Sequence, residues 1–550
     1  MRKILTAGEM SEVDKRTSEE YGIPSIILME NAAHATARII TEKLGGSVRD
    51  KSFLVLCGKG NNGGDGAAIA RILWMTGAKL QVYLFGRARE TAGDARINFD
   101  ALKDLSLQNK VENSPEFYES EGLDGLLDGL NGFDVVVDAV FGTGLTSPVR
   151  EPFASDFEKI TSGLSKCENV PFKVSVDLPS GLDSDHYFKI GKCLKADLTV
   201  TFSAPKMANV FPPASNLNGE LHVVPIGSPR ELIDKCDSQT FLAEKAEARS
   251  WLQKTEFSSD SYKNKRGNAI LVVGSRKYSG AAVLAGNGAM QSGAGMVTVA
   301  TSDSALESVS KRVLPEVMVR GVAENSEGSI SENALDQVQN LIKKADVVAI
   351  GSGLNSERET TRKFVRYVVE KRTSPVIIDA DGLSSLSPFD LEGSDSMPLI
   401  LTPHEGEFLR LLGTTDKESI EDRVGVVRTF AQKYKVILAL KGERTLIAEP
   451  GGKVVINPTG NSGLGKAGNG DNLTGIITGF IAQSVRANVP IFNSVVAAFY
   501  VAGLAGDIAE RKFGKRVMLA SDVRDCLAEA FGEIQYEEHG AAFESVDRSL

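Results

Sequence analysis

Cysteine is scarce and unpatterned: Cys57, Cys167, Cys193, Cys236 and Cys526 stand far apart in a chain of 550 residues. That odd number and wide spacing fit neither a disulfide framework nor paired zinc ligands, and a reducing cytoplasm is expected. Blocks of like charge are missing as well. With 62 Lys+Arg against 72 Asp+Glu the formal charge is −10, and no basic track runs along the chain to follow a nucleic-acid backbone. Long apolar runs are also lacking. The longest helical one, Val495 to Gly506, falls short of the roughly 18 residues a membrane span requires. The N-terminal MRKILTAGEMSEVDKR turns polar before a signal-peptide core develops. Nucleic-acid binding, membrane insertion and export are thus expected to be absent.

What is present is a composition of 42% hydrophobic, 7% aromatic and 24% charged residues, that of a folded protein, together with 54 glycines. Short β-branched runs alternate with helical patterns, the mark of βαβ units and mostly parallel sheets, and they do so in two series. Strands are expected near Ser52–Cys57, Lys79–Phe85, Asp134–Asp138, Lys173–Asp177, Leu198–Phe202 and Leu221–Ile226. From Gly227 to about Gly267 the pattern stops in a polar, weakly helical connection, which predicts one domain over 1–235 and another over 236–550. The second series comprises Ala269–Gly274, Met296–Thr301, Asp346–Gly351, Pro375–Asp381, Leu399–Pro403, Val436–Gly442, Thr445–Glu449 and Lys453–Asn457, followed by helices from about Asp471, Pro490 and Asp522. Ligands of open α/β sheets lie beyond the carboxyl ends of strands, so the loops there are the expected site walls.

In the first half, Gly58-Lys59-Gly60-Asn61-Asn62-Gly63-Gly64-Asp65-Gly66 follows an apolar strand and opens a helical pattern. It contains GxGxxG in the right context for holding phosphate on backbone N–H groups. A dinucleotide fold of the usual kind would carry a ribose-binding carboxylate at the end of the next strand, which here reads Leu84-Phe85-Gly86-Arg87, so a standard NAD-dependent dehydrogenase loses ground. Asp138 to Leu145 (DAVFGTGL) and Asp177 to Asp183 (DLPSGLD) follow two further strands. Their carboxylate, amide and hydroxyl oxygens suit a hard or alkali cation and a polyhydroxylated ligand, although capping and turn chemistry alone would also use such aspartates.

In the second half, Thr459 to Asp471 (TGNSGLGKAGNGD) leads into the helix NLTGIITGFIAQ. A glycine-rich loop ending in Asp at a helix start offers donors to phosphate and one carboxylate beside a reacting hydroxyl; a simple N-cap is the competing reading. It is not a Walker loop, since no GK[ST] stands at the required spacing. Lys441-Gly442-Glu443-Arg444-Thr445 joins two strands, Thr402-Pro403-His404-Glu405-Gly406-Glu407 follows another, and Asp379-Ala380-Asp381-Gly382 and Gly351-Ser352-Gly353-Leu354 complete a rim. Tyr278–Ala282 and Ser292–Gly295 fit function and close helix packing equally.

The stretch Glu9–Ala33, GNNGGDG, DAVFGTGL, VDLPSGLDSD and TFSAPK (Thr201–Lys206) together resemble the NAD(P)H-hydrate epimerase family, or YjeF-N domain, over about residues 1–230. The resemblance implies a Rossmann-like three-layer sandwich. It implies K⁺ on Asn62, Asp138 and Ser180, and the hydrated nucleotide on Asn61, Asn62, Gly63, Gly64 and Asp65, on Gly142, Thr143, Gly144, Leu145, Thr146, Ser147 and Pro148, and on Asp177, the candidate acid/base. IIDADGL, LTPHEGEFLRL, LKGERTLIAE and GLGKAGNGDNLTGIITGF resemble the ribokinase-like fold and, within it, the ADP/ATP-dependent NAD(P)H-hydrate dehydratase family, over about residues 250–535. Here Ala281, Gly353, His404 and Asp471 would contact the hydrate, while Lys441, Gly442, Glu443, Arg444, Thr445 and Gly470 would contact ADP or ATP, with Mg²⁺ alongside. Lys466-Ala467 replaces a Ser-Gly pair of that family, which would alter phosphate contacts.

Joined, the halves imply repair of damaged cofactor: epimerisation of the R and S forms of hydrated NADH and NADPH (NADHX, NADPHX), then dehydration of the S form at the expense of ADP, giving AMP and phosphate. Asp177 and Asp471 are the expected catalytic residues. A homo-oligomer is expected of a large α/β enzyme of this kind. Two other readings stay open: a small-molecule kinase fused to a nucleotide-sensing domain, and a binding module in the first half.

Overall fold

The computed structural model describes residues 1–107, 114–120, 127–151, 153–357 and 359–535. The chain divides into two compact units, Arg2–Thr240 and Phe241–Leu550, with Met1 joining the second.

Seven strands form the sheet of the first unit, in the spatial order Glu116–Ser120, Lys79–Phe85, Ser52–Cys57, Val135–Ala139, Phe172–Val176, Leu198–Phe202, Glu220–Val224. All neighbours run parallel. The chain's first long strand, Ser52–Cys57, pairs on one side with the second and on the other with Val135–Ala139, so the winding reverses between them. That is the switch point, where a crevice opens beyond the strand ends. Strand residues alternate between two cores: Phe53, Val55 and Cys57 pack on one face, Leu54 and Leu56 on the other, giving helix, sheet and helix layers. The strand Glu116–Ser120 lies outside the expected set. It is an edge strand with the polar sequence EFYES, so it lacks the apolar run by which the central strands are read.

In the second unit, parallel strands run from Met318–Val322 through Met296–Ser302, Asn268–Val272, Val347–Ile350, Val376–Ile378 and Leu399–Leu401 to Ile437–Leu440. The antiparallel strands Thr445–Ala448 and Val454–Asn457 extend that edge. Two expectations need correction here. The Gly227–Gly267 connection does contribute to the sheet, since Thr240–Leu242 aligns beside Val454–Asn457. Met318–Val322, also unexpected, is an edge strand whose MVRGV sequence is half exposed.

The helix Asn469–Ala487 packs closely on Ser279–Gln291. A Cβ at Gly475 would lie 2.1 Å from the Ala285 carbonyl oxygen, so this crossing requires glycine. The following helix, Ile491–Phe513, spans 23 residues and contains an 18-residue window with a mean hydropathy of 1.6. It is long and apolar enough to cross a membrane, contrary to the expectation drawn from Val495–Gly506. Yet 72% of its apolar window is buried inside the unit, where it packs in the main core as Val495, Val496, Ala505 and Ile508.

Candidate active sites at two sheet rims

In the first unit a cleft of about 610 Å³ opens at the switch point. Asn61, Asn62, Asp65, Gly142, Thr143, Gly144, Leu145 and Asp177 all line it, as do Met10, Asp14, Phe202 and Lys206. Gly63 and Gly64 sit behind the wall, buried at the start of helix Asn61–Met75. A Cβ on Gly63 would lie 1.8 Å from the Gly58 carbonyl oxygen, so the tight strand-to-helix turn depends on that glycine. Thr146, Ser147 and Pro148 are exposed and are not among the lining residues.

Asp138, one residue before the end of strand Val135–Ala139, is fully buried. Its Oδ1 accepts a hydrogen bond from Ser180 Oγ at 2.5 Å and its Oδ2 one from the Ser180 N–H at 2.8 Å. The Phe141 N–H donates to Ser180 Oγ at 2.8 Å, tying the two loops together. Burial raises the Asp138 carboxyl against these hydrogen bonds. Neither the amide oxygen nor the amide nitrogen of Asn62, both buried, has a protein partner. Amide, carboxylate and hydroxyl oxygens are the donor types an alkali cation takes, and a buried amide without a protein partner calls for a ligand.

Asp177 follows strand Phe172–Val176 with a left-handed φ of 65°, an uncommon conformation for a residue with a side chain. The Asn209 amide donates to its carbonyl at 3.2 Å. The carboxylate Oδ1 accepts from Lys206 Nζ at 2.6 Å and from Thr201 Oγ1 at 2.8 Å. Lys206 is only 2% exposed. It is a site residue that residue-by-residue reasoning missed, although its signal lay in the TFSAPK stretch just after a strand. Asp14, on helix Ala7–Tyr21, was missed too. Burial chiefly, with Lys206 opposing and Asp177 assisting, pushes its carboxyl up to about 6. Asp65 is also raised well above the usual carboxylate range, first by burial, then by Asp177 and Asp14. Asp14, Asp65, Asp94 and Asp177 share the cleft with the ammonium groups of Lys59 and Lys206, a setting that can both hold and accept protons.

In the second unit Asp471 stands in the first turn of helix Asn469–Ala487, after Gly468 in the left-handed region. Burial, and next the charge of Asp379, raise its carboxyl to about 6. Asp379 accepts from Lys441 Nζ at 2.8 Å and from Thr402 Oγ1 at 2.8 Å on one oxygen, and from Thr474 Oγ1 at 3.0 Å on the other. His404 caps helix Glu405–Leu412, its Nδ1 accepting the Gly406 N–H at 3.0 Å while its own backbone N–H donates to Glu407. It lies next to Lys441 through a backbone bridge. Ala281 and Gly353 meet: a Cβ on Gly353 would lie 2.8 Å from that of Ala281. Around the strand turn, Gly442 and Glu443 are exposed, Thr445 begins the next strand, and the Arg444 guanidinium donates to the Pro458 carbonyl. Gly470 approaches both Asp379 and Lys441. The Lys466 ammonium donates to the carbonyls of Arg516 at 2.5 Å and Met518 at 2.9 Å.

A family model described as NAD(P)H-hydrate dehydratase matches residues 269–529, and one described as YjeF-related protein N-terminus matches residues 25–208. The bifunctional NAD(P)H-hydrate repair enzyme of Moorella thermoacetica is 37% identical over 97% of this chain and 97% of its own length. The chain belongs to this family of bifunctional NAD(P)H-hydrate repair enzymes. The repair enzyme of Thermofilum pendens is 34% identical over 99% of this chain and 98% of its own. Among solved structures, an ADP/ATP-dependent NAD(P)H-hydrate dehydratase from Bacillus subtilis co-crystallized with ATP/Mg²⁺ is 30% identical, with a TM-score of 0.47, over 54% of this chain and 98% of that one. As a repair enzyme, the chain carries an epimerase domain first and a dehydratase domain second. Neither a separate kinase nor a binding module describes it.

Proposed function

We propose that Asp177 and Asp471 take the proton of the hydrate's hydroxyl in a sequential repair, one in each unit. The reading rests above all on Asp471, a carboxylate at a glycine-rich helix start, raised to about 6 and flanked by the Lys441 ammonium. Hydration of a dihydronicotinamide puts a hydroxyl on the carbon bonded to the ring nitrogen. In the first unit Asp177 takes that hydroxyl proton, the carbon–nitrogen bond opens to an aldehyde with its electron pair left on nitrogen, and rotation followed by reclosure returns the proton on the opposite face. Asp14, across the same cleft, exchanges the proton at nitrogen. Asn61, Asn62, Asp65 and Gly142–Leu145 hold the nucleotide. K⁺, when bound, supplies fixed positive charge; the orphaned Asn62 amide with Asp138 and Ser180 would hold it.

In the second unit Asp471 takes the proton of the S-form hydroxyl, whose oxygen attacks the terminal phosphorus of ADP and releases AMP. Loss of phosphate, with a proton from the neighbouring carbon, restores the double bond and NAD(P)H. Lys441–Thr445 and Gly470 hold the nucleotide, and Ala281, Gly353 and His404 hold the hydrate. Mg²⁺, when bound with the nucleotide, neutralises phosphate charge. Among the described residues no group of three or more His, Cys, Asp or Glu side chains is arranged to hold a metal ion. The enzyme is read as a cytoplasmic homo-oligomer acting on small molecules.

Incubating the purified enzyme with mixed NADHX epimers, ADP or ATP, and Mg²⁺, while following the return of NADH absorbance, tests this. Full return with ADP is expected. Accumulation of a stable phosphorylated hydrate without NADH would overturn the dehydration step.

A further inference from the structure

Asp379 is not needed by the chemistry just described, yet it lies at the centre of the second rim. It follows strand Val376–Ile378 and is 2% exposed. A buried carboxylate is costly unless its oxygens are satisfied, and here both are. Lys441 and Thr402 donate to Oδ1, and Thr474 donates to Oδ2. Those donors come from two other strand ends and from the second turn of the helix that carries Asp471. A Cβ on Gly470 would stand 3.9 Å from Asp379 Oδ2 and 3.9 Å from Lys441 Nζ, so the ion pair reaches up to the glycine loop itself.

We infer that Asp379 is a positioning residue of the dehydratase, whose buried negative charge holds the Lys441 ammonium against the anion loop and acts through space on Asp471. Three of its roughly four acceptor positions are taken by protein donors, which suits a fixed charge better than a group that shuttles a substrate proton. Its effect runs through its two neighbours. Burial works to discharge Lys441, but Asp379, with Glu407 and Asp471, outweighs it and keeps the lysine cationic. On Asp471, burial is the largest influence; Asp379 and, less strongly, Asp381 raise it, and Lys441 lowers it. Where shape alone was required, apolar side chains would fill such a place without burying charge.

The inference rests on Asp471 being the proton acceptor, and the test separates the two. Asp379→Asn keeps the shape and removes the charge. The acid limb of the dehydratase kcat profile, at saturating ADP, is expected to move to lower pH by on the order of one unit, because the repulsion on Asp471 is lost. Thr402→Val and Thr474→Val remove hydrogen bonds but leave the charge, and should leave the limb in place. The double variant Asp379→Asn/Lys441→Gln removes both charges together and keeps the test open if the single variant folds poorly. Its limb should lie below that of Lys441→Gln alone. Coincident limbs in these pairs, or an equal displacement in Thr474→Val, would overturn the inference. Dehydration surviving in Asp471→Asn would instead remove the proton-acceptor reading beneath it.

Discussion

Both units place a lysine–aspartate pair at the carboxyl rim of a parallel sheet, but they wire it differently. In the first, Lys206 donates to Asp177, the proposed proton acceptor, and the carboxyl left without a cation of its own is Asp14 on a covering helix. In the second, Lys441 donates to Asp379, and the proposed proton acceptor Asp471 receives its neighbour's repulsion instead. An epimerase must give and take a proton within one turnover. A phosphoryl acceptor must be deprotonated once beside a nucleotide. The comparison teaches that the same ion pair serves either as an orienting clamp on the reacting group or as a charged wall behind it.

The comparison breaks most decisively at the reacting carboxylates. Asp471→Asn is expected to lower dehydration by about 10³-fold or more while epimerisation continues; loss of both activities would show that the two sites are not independent. Asp177→Asn should leave the dehydratase consuming one epimer only, measured as incomplete NADH return from a mixed sample. Complete return faster than spontaneous epimerisation would reverse that assignment.

Next in size is the clamp. Lys206→Met leaves Asp177 buried without its cation and should destabilise the first unit by about 3–5 kcal/mol, read by urea unfolding, with dehydratase activity retained. A smaller effect concerns Asp14. Its carboxyl is raised from 3.8 to about 6, so the folded state holds the proton more tightly than the unfolded chain. Stability is therefore lost as pH rises from about 4 to about 6, and the cost is complete above that range. Asp14→Asn removes this cost and should raise the stability of the first unit at pH 8 by up to about 3 kcal/mol, with no gain at pH 3.5. Smallest of all, Lys466→Ser should leave the KM for ADP unchanged, because that ammonium serves the carbonyls of Arg516 and Met518. A several-fold rise in KM would instead make Lys466 a second lysine, beside Lys441, that serves the nucleotide.

Much of this was legible in the chain. The central strands of both sheets carry unbroken apolar runs, such as FLVLC in Ser52–Cys57 and VVV in Val135–Ala139, and the loops after such strands carry their chemistry within a few residues, as in GNNGGDG. The edge strands Glu116–Ser120 and Met318–Val322 were not legible, because an edge needs only one covered side and tolerates polar residues. His404 reads ambiguously in sequence; in the fold it is a helix cap that also stands beside Lys441.

The chain alone determined two α/β units, their glycine-rich rims, and Asp177 and Asp471 as acidic residues at those rims, since each is a matter of local period and of loop composition after a strand. Only the tertiary structure decided which cation and which carboxylate meet. Asp379 and Thr474 are 95 residues apart, Lys441 and Asp379 62 apart, and Lys206 and Asp177 29 apart. Burial and long-range charge determine how tightly a carboxyl holds its proton, and both follow from parallel strands bringing their ends to one rim.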